Sequence, residues 1–406
     1  MDDQARAIGS RVRYWRLRRN LDRKCFADMV GRSTSWLDKV EKGERSLLRL
    51  PMLERVAEVL AIDTAALTDG TAARRAAHCV DAAEVQAIRT ALGRYTSLVH
   101  LNGDQRPVTL REVIQQLTYV DHAWLSSHFT VVARHLPKLL DDAQMVVLTA
   151  PEAEQVAASR ALVVAYRLAS SMLLKFETND VAWLAADRAM HTALLVDDTL
   201  ALARATRSVA RAMSSAGQRT SAIDALTGMA DRIRPELARR EYELLSLSGM
   251  LFLAASITAA GQEDGVLALA MHQEAEAAAR RLGPEHDTHK TIFGPTNVAI
   301  HRVAALVRLH EAGRALEYAG TIDPSAIAAL PPERKVNYLL DLTEAFAHTG
   351  QRWEAVRCLG DAESVAPEEV RCRPLTHGLL RSLLDQTAGE SARLVRQIAI
   401  RAGVTA

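Results

Sequence analysis

Residues 21–43 have the spacing of two short helices joined by a tight turn, and they constrain the fold more than any other stretch. Asp22 and Ser33 stand where N-caps are expected, because their side chains can accept the free N–H groups of a first helical turn. Gly31 supplies the turn between the helices, and Gly43 ends the second one. The apolar residues that recur at helical spacing predict the buried faces: Phe26, Ala27, Val30, Leu37 and Val40.

The second of these helices leaves a polar face directed outward. That face carries Thr34, Ser35, Asp38 and Lys39. Short polar and basic side chains suit a helix whose exposed side meets base edges in a DNA major groove. We therefore expect Thr34, Ser35 and Lys39 to contact bases, with Asp38 beside them on the same face.

Positive charge is concentrated next to this motif. Seven basic residues stand between positions 11 and 24 against one acid, Asp22: Arg11, Arg13, Arg16, Arg18, Arg19, Arg23 and Lys24. A basic cluster gives sequence-independent affinity for phosphates by releasing counterions. The whole chain carries a formal charge of only +1, so the basic character is local and predicts that only the N-terminal domain touches DNA. The side chains expected to hold phosphates are Arg13, Arg23, Arg45 and Arg49.

The motif resembles the helix-turn-helix of the Cro- and phage-repressor-like (Xre) family. The matching positions are Leu21, Ala27, Gly31, Glu41 and Gly43. The resemblance covers residues 8–68 and implies five helices, with the first at about 8–19 and the last two at about 50–60 and 63–68. The chain departs from the family pattern at Arg23, Lys24 and Arg32, which add positive charge beside the turn. The alternative is a helical hairpin with no role in nucleic-acid binding.

The remainder of the chain predicts helices throughout. Residues 71–80 have no apolar periodicity and are predicted to form a linker, and helical patterns separated by short breaks fill 81–406. Residues 336–369 resemble a tetratricopeptide repeat, through Leu339, Leu342, Thr343, Phe346, Gly350, Ala355, Leu359, Ala362 and Pro367. Residues 203–236 resemble it more weakly, and further helix pairs are expected at about 155–194, 239–282, 295–320 and 374–402. The predicted fold is all-α: a five-helix Cro-like domain at 1–70, followed by a tetratricopeptide-repeat-like α-solenoid.

A Cro-like head joined to a helical repeat array is similar to the peptide-sensing regulators of Gram-positive bacteria and to related actinobacterial regulators. In those families the array binds an effector on its concave face and forms a homodimer. The resemblance therefore implies three partners: double-stranded DNA with an inverted-repeat operator, a second copy of the chain, and a small-molecule or peptide effector.

The first helix of each pair would line the concave face, and this places a group of polar residues there. Arg204, Arg207 and Arg211 share one side of a helix at spacing i, i+3, i+7, and Arg167 holds the matching place one pair earlier. Asn337 lies on the same face in the 336–369 register, with Glu344 and His348. Arginines without interleaved acids favour an anionic ligand, since guanidinium binds carboxylate or phosphate bidentately. The alternative is a solvated arginine face on an arginine-rich protein.

A second group of candidate ligand-binding residues begins the helix after Gly294-Pro295. Thr296, Asn297 and His301 fall in its first turn and a half. The free N–H groups of a helix start can hold an anion or a peptide carbonyl. Equally, Thr296 and Asn297 could serve only to tie down the loop over 283–294.

No catalytic motif is present, since the chain lacks GxSxG, a P-loop, a Gly-rich dinucleotide turn and HExxH. We expect neither an enzyme nor a cofactor. The four cysteines show no CxxC spacing, which favours ordinary reduced thiols over a disulfide framework or a zinc site. No apolar run approaches the roughly 20 residues of a membrane span, and the N-terminus lacks a signal-peptide core. These features predict a bacterial protein of the cytoplasm that makes no membrane contact.

Two functions remain open. The first is a ligand-responsive transcriptional regulator, in which the effector shifts the array between two arrangements and so changes operator affinity. The second is an interaction scaffold, whose array docks a protein partner and whose head only tethers it to DNA.

Overall fold

The computed structural model describes residues 3–77, 79–94, 108–237, 241–283 and 291–404. Over these ranges the chain is helical and contains no strand, as the composition predicts. It divides into two compact units, Met1–Gln86 and Ala87–Ala406, here called the N-terminal unit and the C-terminal unit.

The N-terminal unit contains the five predicted helices and additional helical residues after them. Its helices are α1 (Asp3–Arg18), α2 (Arg23–Val30), α3 (Thr34–Glu41), α4 (Leu50–Leu60), α5 (Ala65–Thr68) and α6 (Gly70–Ala77), and α7 (Ala82–Gly93) begins before the unit ends. The buried core includes Trp15, Phe26, Ala27, Leu37 and Val56. The predicted burial of Phe26, Ala27, Val30, Leu37 and Val40 is confirmed.

The predicted linker at 71–80 overlaps α6, a helix that periodicity did not reveal. Asp69 accepts hydrogen bonds from the backbone N–H groups of Thr71 at 2.8 Å and Ala72 at 3.3 Å, which caps the first turn. Its alanines and arginines have high helix propensity, which favours a helix in this segment.

Helices α1 and α3 approach each other closely at Gly9. A Cβ placed on Gly9 would stand 2.0 Å from the carbonyl oxygen of Val40. Any larger residue at position 9 would therefore push the second helix of the turn motif away from its support.

The C-terminal unit is built from consecutive helix pairs. The helices are α8 (Leu110–Leu125), α9 (Phe129–Thr149), α10 (Gln155–Lys175), α11 (Asn179–Val196), α12 (Thr199–Ser215), α13 (Arg219–Ile233), α14 (Glu241–Ala260), α15 (Gly265–Leu282), α16 (Pro295–Arg308), α17 (Ala312–Ala319), α18 (Pro324–Ala329), α19 (Pro332–His348), α20 (Arg352–Val365), α21 (Pro367–Arg371), α22 (Pro374–Gln386) and α23 (Gly389–Ala402). Most of the long helices pack against the helix that follows them in the chain.

The helix pairs expected from the sequence are present at their predicted places. The small residues predicted to let helices approach closely are fully buried, among them Ala222, Ala355 and Ala362. The pair α8/α9 was not singled out by the sequence pattern. Pro137 lies inside α9, and an interior proline usually argues against a continuous helix.

Two segments of the C-terminal unit are long and apolar enough to cross a membrane, judged by length and composition alone. They are Glu152–Lys175, with mean hydropathy 1.2, and Tyr242–Ala260, with mean hydropathy 1.6. The sequence pattern had suggested no such span. In both, 72% of the apolar window is buried within the protein, which is also what a core helix shows.

Cys25 is exposed and Cys358 is buried, and both are free thiols, as the absence of CxxC spacing predicts for these two.

Candidate functional site

The turn motif has the capping geometry that its sequence predicts. Asp22 Oδ1 accepts a hydrogen bond from the Cys25 N–H at 2.8 Å, and Ser33 Oγ accepts one from the Trp36 N–H at 3.2 Å. Gly31 has φ of 74°, the left-handed conformation that favours glycine. The two helices are thus fixed at both sides of the turn, and α3 is held on its buried residues Trp36, Leu37 and Val40.

The outward face of α3 is solvent-accessible at the predicted positions. Thr34, Ser35 and Lys39 are exposed, and Asp38 is partly exposed. The Nε of Arg23 lies 3.5 Å from Oδ1 of Asp38. Asp38 therefore positions Arg23 beside the helix, in addition to any contact it makes with a base.

The basic cluster at positions 11–24 is not one continuous phosphate-binding surface. Arg16 Nε is 2.6 Å from Glu41, Arg18 Nε is 2.8 Å from Glu84, and Arg19 Nη2 is 2.6 Å from Asp81. Arg16 and Arg18 are buried. Their guanidiniums hold the unit together and cannot neutralise phosphates, which corrects the sequence expectation for these positions.

The arginines predicted to hold phosphates are accessible to solvent. Arg13, Arg23, Arg45 and Arg49 are all exposed. Lys24, which was part of the cluster, is exposed as well. Fewer residues of the basic cluster are thus available to a duplex than the sequence suggested. These exposed cations come from segments before and after α3 in the chain.

The C-terminal unit contains a cavity with two adjoining chambers. The small chamber has a volume of about 230 Å³ and the large chamber about 430 Å³. Both chambers are lined by Trp124, Arg167, Arg207 and Arg334. Most of the lining comes from the first helices of the pairs, namely α8, α10, α12, α14, α16 and α19, which is the face predicted to bind a ligand.

The cavity brings together most of the predicted ligand-binding residues. Arg167, Arg207, Arg211, His301 and Asn337 line the large chamber. Arg204 lines the small one. Glu344 and His348, placed on the same face by the sequence register, are exposed and line neither chamber.

Thr296 and Asn297 are buried and line neither chamber. Their exposed fractions are 7% and 1%. The side-chain nitrogen of Asn297 donates to the Met250 sulfur at 3.6 Å, and its side-chain Oδ1 is buried without a hydrogen-bond partner among the described residues. These two residues lie in the packing behind the cavity, and much of the loop they were suggested to hold, 284–290, is outside the described residues.

Two of the predicted arginines are neutralised by acids from neighbouring helices. Arg167 Nη2 lies 2.8 Å from Asp121, and Arg204 Nη2 lies 3.3 Å from Glu243. The expectation of an arginine row without interleaved acids is therefore wrong for these two. Spacing on one helix does not show which acids adjacent helices supply.

Arg207 and Arg211 remain without a carboxylate partner among the described residues. Arg211 donates to Ser171 Oγ at 3.0 Å. Arg207 makes no hydrogen bond within this part of the chain, and its Nε is buried without a partner. Burial and the neighbouring Arg211 lower the pKa of Arg207 well below its ordinary value, and burial lowers the pKa of Arg211 to about 10. A guanidinium keeps its charge in proteins, so this pair of cations favours an anion.

Sequence patterns missed several charged residues of the large chamber. Lys175 Nζ lies 3.1 Å from Glu333, also contacts Glu369, and sits 5.1 Å above the Trp124 ring. Arg334 pairs with Glu333 at 2.7 Å. A signal was available for Lys175, because Arg167, Ser171 and Lys175 follow one another at spacing i, i+4, i+8.

The pKa values of His301 and Asp341, which also line the large chamber, are shifted by burial. Burial, with Arg334 nearby, lowers the pKa of His301 to about 3, so its ring is neutral, and Nδ1 lies 2.7 Å from the Asn297 carbonyl oxygen. Burial raises the pKa of Asp341 to about 6, and Arg308 Nη1 lies 3.7 Å from its Oδ1. Among the residues that the structure describes, no group of three His, Cys, Asp or Glu side chains is placed to share a metal ion.

Comparison with known proteins identifies one part of the chain. Residues 7–69 match a family model described as a helix-turn-helix domain. No curated protein and no solved structure matches the chain. The match and the capping geometry agree, and the N-terminal unit is a helix-turn-helix domain of the kind found in DNA-binding regulators.

Proposed function

We propose that this protein is a transcriptional regulator of the Xre type whose C-terminal unit binds an anionic effector. In this proposal Thr34, Ser35 and Lys39 contact bases, and Arg13, Arg23, Arg45 and Arg49 contact phosphates. The C-terminal unit would be a tetratricopeptide-repeat-like sensor. The protein would act in the cytoplasm and have a regulatory role, with no catalytic one.

The observation that carries the sensor proposal is the environment of Arg207. The guanidinium of Arg207 lines a cavity with its Nε buried and meets neither a carboxylate nor a hydrogen-bond acceptor among the described residues, which is costly because a charge withdrawn from water loses hydration. If position 207 served only the stability of the fold, a leucine there would stabilise the folded state more than an unpaired arginine does. An anion bound to Arg207 and Arg211 would supply the missing partner and would be held by charge-assisted hydrogen bonds.

The proposal includes a homodimer on an inverted-repeat operator. A single helix-turn-helix domain offers a modest contact surface, and dimers of this motif bind half-sites one or more helical turns apart. Light scattering of the full chain, alone and with operator, tests this directly. A strict monomer in both conditions would remove the dimer from the proposal.

The regulator proposal is tested by comparing duplexes at several salt concentrations. An operator is first selected with the full-length protein from a random duplex pool, and anisotropy is then measured for it and for a scrambled duplex. Specific binding should exceed nonspecific binding by about a thousandfold or more at physiological salt. Equal affinity for both duplexes would instead favour an interaction scaffold with a tethering head.

The effector proposal is tested with small anions, by measuring the thermal stability of the full-length protein and its operator affinity with and without each anion. An anion that binds the cavity should raise thermal stability by mass action and change operator affinity. Arg207→Ala should remove both responses, and Arg207→Lys should restore them poorly, because an ammonium cannot reproduce a bidentate fork. Arg232, which is exposed and paired with Asp197 at 2.7 Å, provides the matched control as Arg232→Ala.

A further inference from the structure

Apolar side chains form one wall of the small chamber. Apart from the side chains it shares, this chamber is lined by Leu117, Val164, Leu247, Met250 and Ile292, together with polar residues such as Asp121 and Arg204. The large chamber has apolar residues as well, and it adds hydroxyl and amide groups, including Ser171, Ser214, Thr258 and Asn337. A ligand that fills both chambers therefore needs an apolar part and a polar part.

Arg207 marks where the two parts of such a ligand would meet. It is one of four side chains that line both chambers. Two of the others are already neutralised, Arg167 by Asp121 at 2.8 Å and Arg334 by Glu333 at 2.7 Å. Arg207 has no such partner among the described residues. An anion bound to it would therefore lie between the two chambers, next to the apolar side chains of the small chamber.

The acids of the cavity limit what else the ligand can carry. Asp121 is bound to Arg167, Glu333 to Lys175 and Arg334, and Asp341 lies 3.7 Å from Arg308. An ammonium group on the ligand would have to displace one of these cations. The lining thus favours an anion without a compensating positive charge, which disfavours a peptide with a free N-terminus.

We propose that the cavity binds an amphipathic anion, with its carboxylate or phosphate head on Arg207 and Arg211 and its aliphatic part in the small chamber. This inference rests on the proposed effector function and specifies the ligand. The head would receive donors from both guanidiniums, and Ser171 would give up its bond to Arg211 or share it. The tail would gain free energy from burial against Leu117, Val164 and Leu247.

The test measures binding of four probes to the full-length protein by calorimetry: octanoate, octyl phosphate, 1-octanol and butyrate. Octanoate or octyl phosphate should bind at least about tenfold more tightly than both octanol, which lacks the charge, and butyrate, which lacks the tail. Whichever of the two anions binds better identifies the head group. The proposal would be overturned if octanol or butyrate bound as tightly as octanoate.

Variants at each chamber separate the two parts of the ligand. Arg207→Ala should weaken octanoate by about tenfold or more and leave octanol unchanged. Val164→Asn should weaken octanoate and leave butyrate unchanged, because only the tail reaches the small chamber. Arg232→Ala is the control and should bind all probes as the unmodified protein does. Octanoate binding that is insensitive to both Arg207→Ala and Val164→Asn would contradict the assigned site.

Operator binding distinguishes failure of this inference from failure of the proposed function. If citrate or inorganic phosphate changes operator affinity through Arg207 while octanoate and octyl phosphate do not bind, the ligand class is wrong and the effector function stands. If octanoate binds with the expected profile but leaves operator affinity unchanged, the ligand class stands and the regulatory function fails. A free-amine octapeptide that binds more tightly than every anionic probe would overturn the inference in favour of a peptide.

Discussion

The N-terminal and C-terminal units use arginines inside the fold in opposite ways. Arg16 and Arg18 are buried, and Arg207 is partly buried with its Nε enclosed. In the N-terminal unit Arg16 and Arg18 each meet a carboxylate, Glu41 at 2.6 Å and Glu84 at 2.8 Å. In the C-terminal unit Arg207 lines a cavity and meets none in the part of the chain that the structure describes. Both kinds of arginine stand in helices that carry several arginines, and helical spacing alone does not separate them.

The difference suggests how to assign a role to a buried cation. A paired guanidinium satisfies its own charge and holds two segments of the chain together. One that is unpaired among the described residues leaves a demand for negative charge that a bound anion can meet. The first kind should therefore affect stability when it is removed, and the second should affect ligand binding.

The largest effect is expected from Arg18→Met. This change leaves Glu84 buried and without its bidentate partner, which should destabilise the N-terminal unit by about 3–5 kcal/mol. Hydrogen exchange of the amides in Asp3–Arg18, followed by mass spectrometry on the full chain, measures the loss of local stability.

Two further variants make this prediction specific to the ion pair. Arg18→Met combined with Glu84→Leu should recover much of the loss, because no charge is then left buried. Arg23→Met removes an exposed partner of Asp38 and should cost at most about 1 kcal/mol. If Arg18→Met and Arg23→Met reduced the stability of the N-terminal unit equally, the buried ion pair with Glu84 would not be what makes Arg18 important for stability.

The next effect concerns the exposed cations of the N-terminal unit. Lys39→Ala should weaken operator binding by about 1–3 kcal/mol, the usual value of a good base contact. Arg13→Ala should weaken all duplexes similarly and lower the salt slope by about one. Anisotropy titrations with operator and scrambled duplexes measure both. Unchanged operator affinity in Lys39→Ala would show that the face of α3 assigned to base contacts is wrong.

Much of the N-terminal unit could be predicted from its sequence because its determinants are local. The caps at Asp22 and Ser33, the left-handed Gly31 and the buried face of α3 all depend on neighbours within a few residues. The pairs Arg16–Glu41 and Arg18–Glu84 depend on residues far apart in the chain, and the sequence pattern assigned those arginines to phosphates instead.

In the C-terminal unit the sequence predicted which face of the repeats carries the cavity, through Arg167, Arg207, Arg211 and Asn337. It did not predict that Asp121 and Glu243 neutralise Arg167 and Arg204. It also placed Thr296 and Asn297 at the ligand, since a helix start can bind an anion. Their burial reflects the packing of α16 against its neighbours, which local spacing does not determine.

A smaller effect is expected from the pH dependence of Asp341. Burial raises its pKa to about 6 in the folded protein from an ordinary value of 3.8, with Arg308, Arg373 and Glu344 as the charged groups near it. Between these two pH values the folded chain binds more protons than the unfolded chain, so this group adds stability as the pH falls.

Comparison with Asp341→Asn isolates that contribution. The unmodified protein should gain about 1–2 kcal/mol relative to the variant as the pH falls from 7 to about 4. Denaturant unfolding of both proteins at each pH measures the difference, and it also cancels the opposite contribution of His301, whose low pKa favours the folded state at higher pH. A relative loss of stability on acidification would mean that Asp341 is held ionised by Arg308.

The smallest effect, and the one that tests the comparison most directly, is expected from Arg207→Met. Without a ligand this change removes a charge that no described residue neutralises and keeps an apolar side chain of similar length. Stability should stay the same or rise by up to about 1 kcal/mol, opposite in sign to the effect of Arg18→Met. Hydrogen exchange in Thr199–Ser215 should be measured in a buffer without phosphate, sulfate or carboxylate, with Arg232→Met as the exposed control. A loss of about 2 kcal/mol or more would place Arg207 with Arg18 as a structural residue, and the two units would then use buried arginine in the same way.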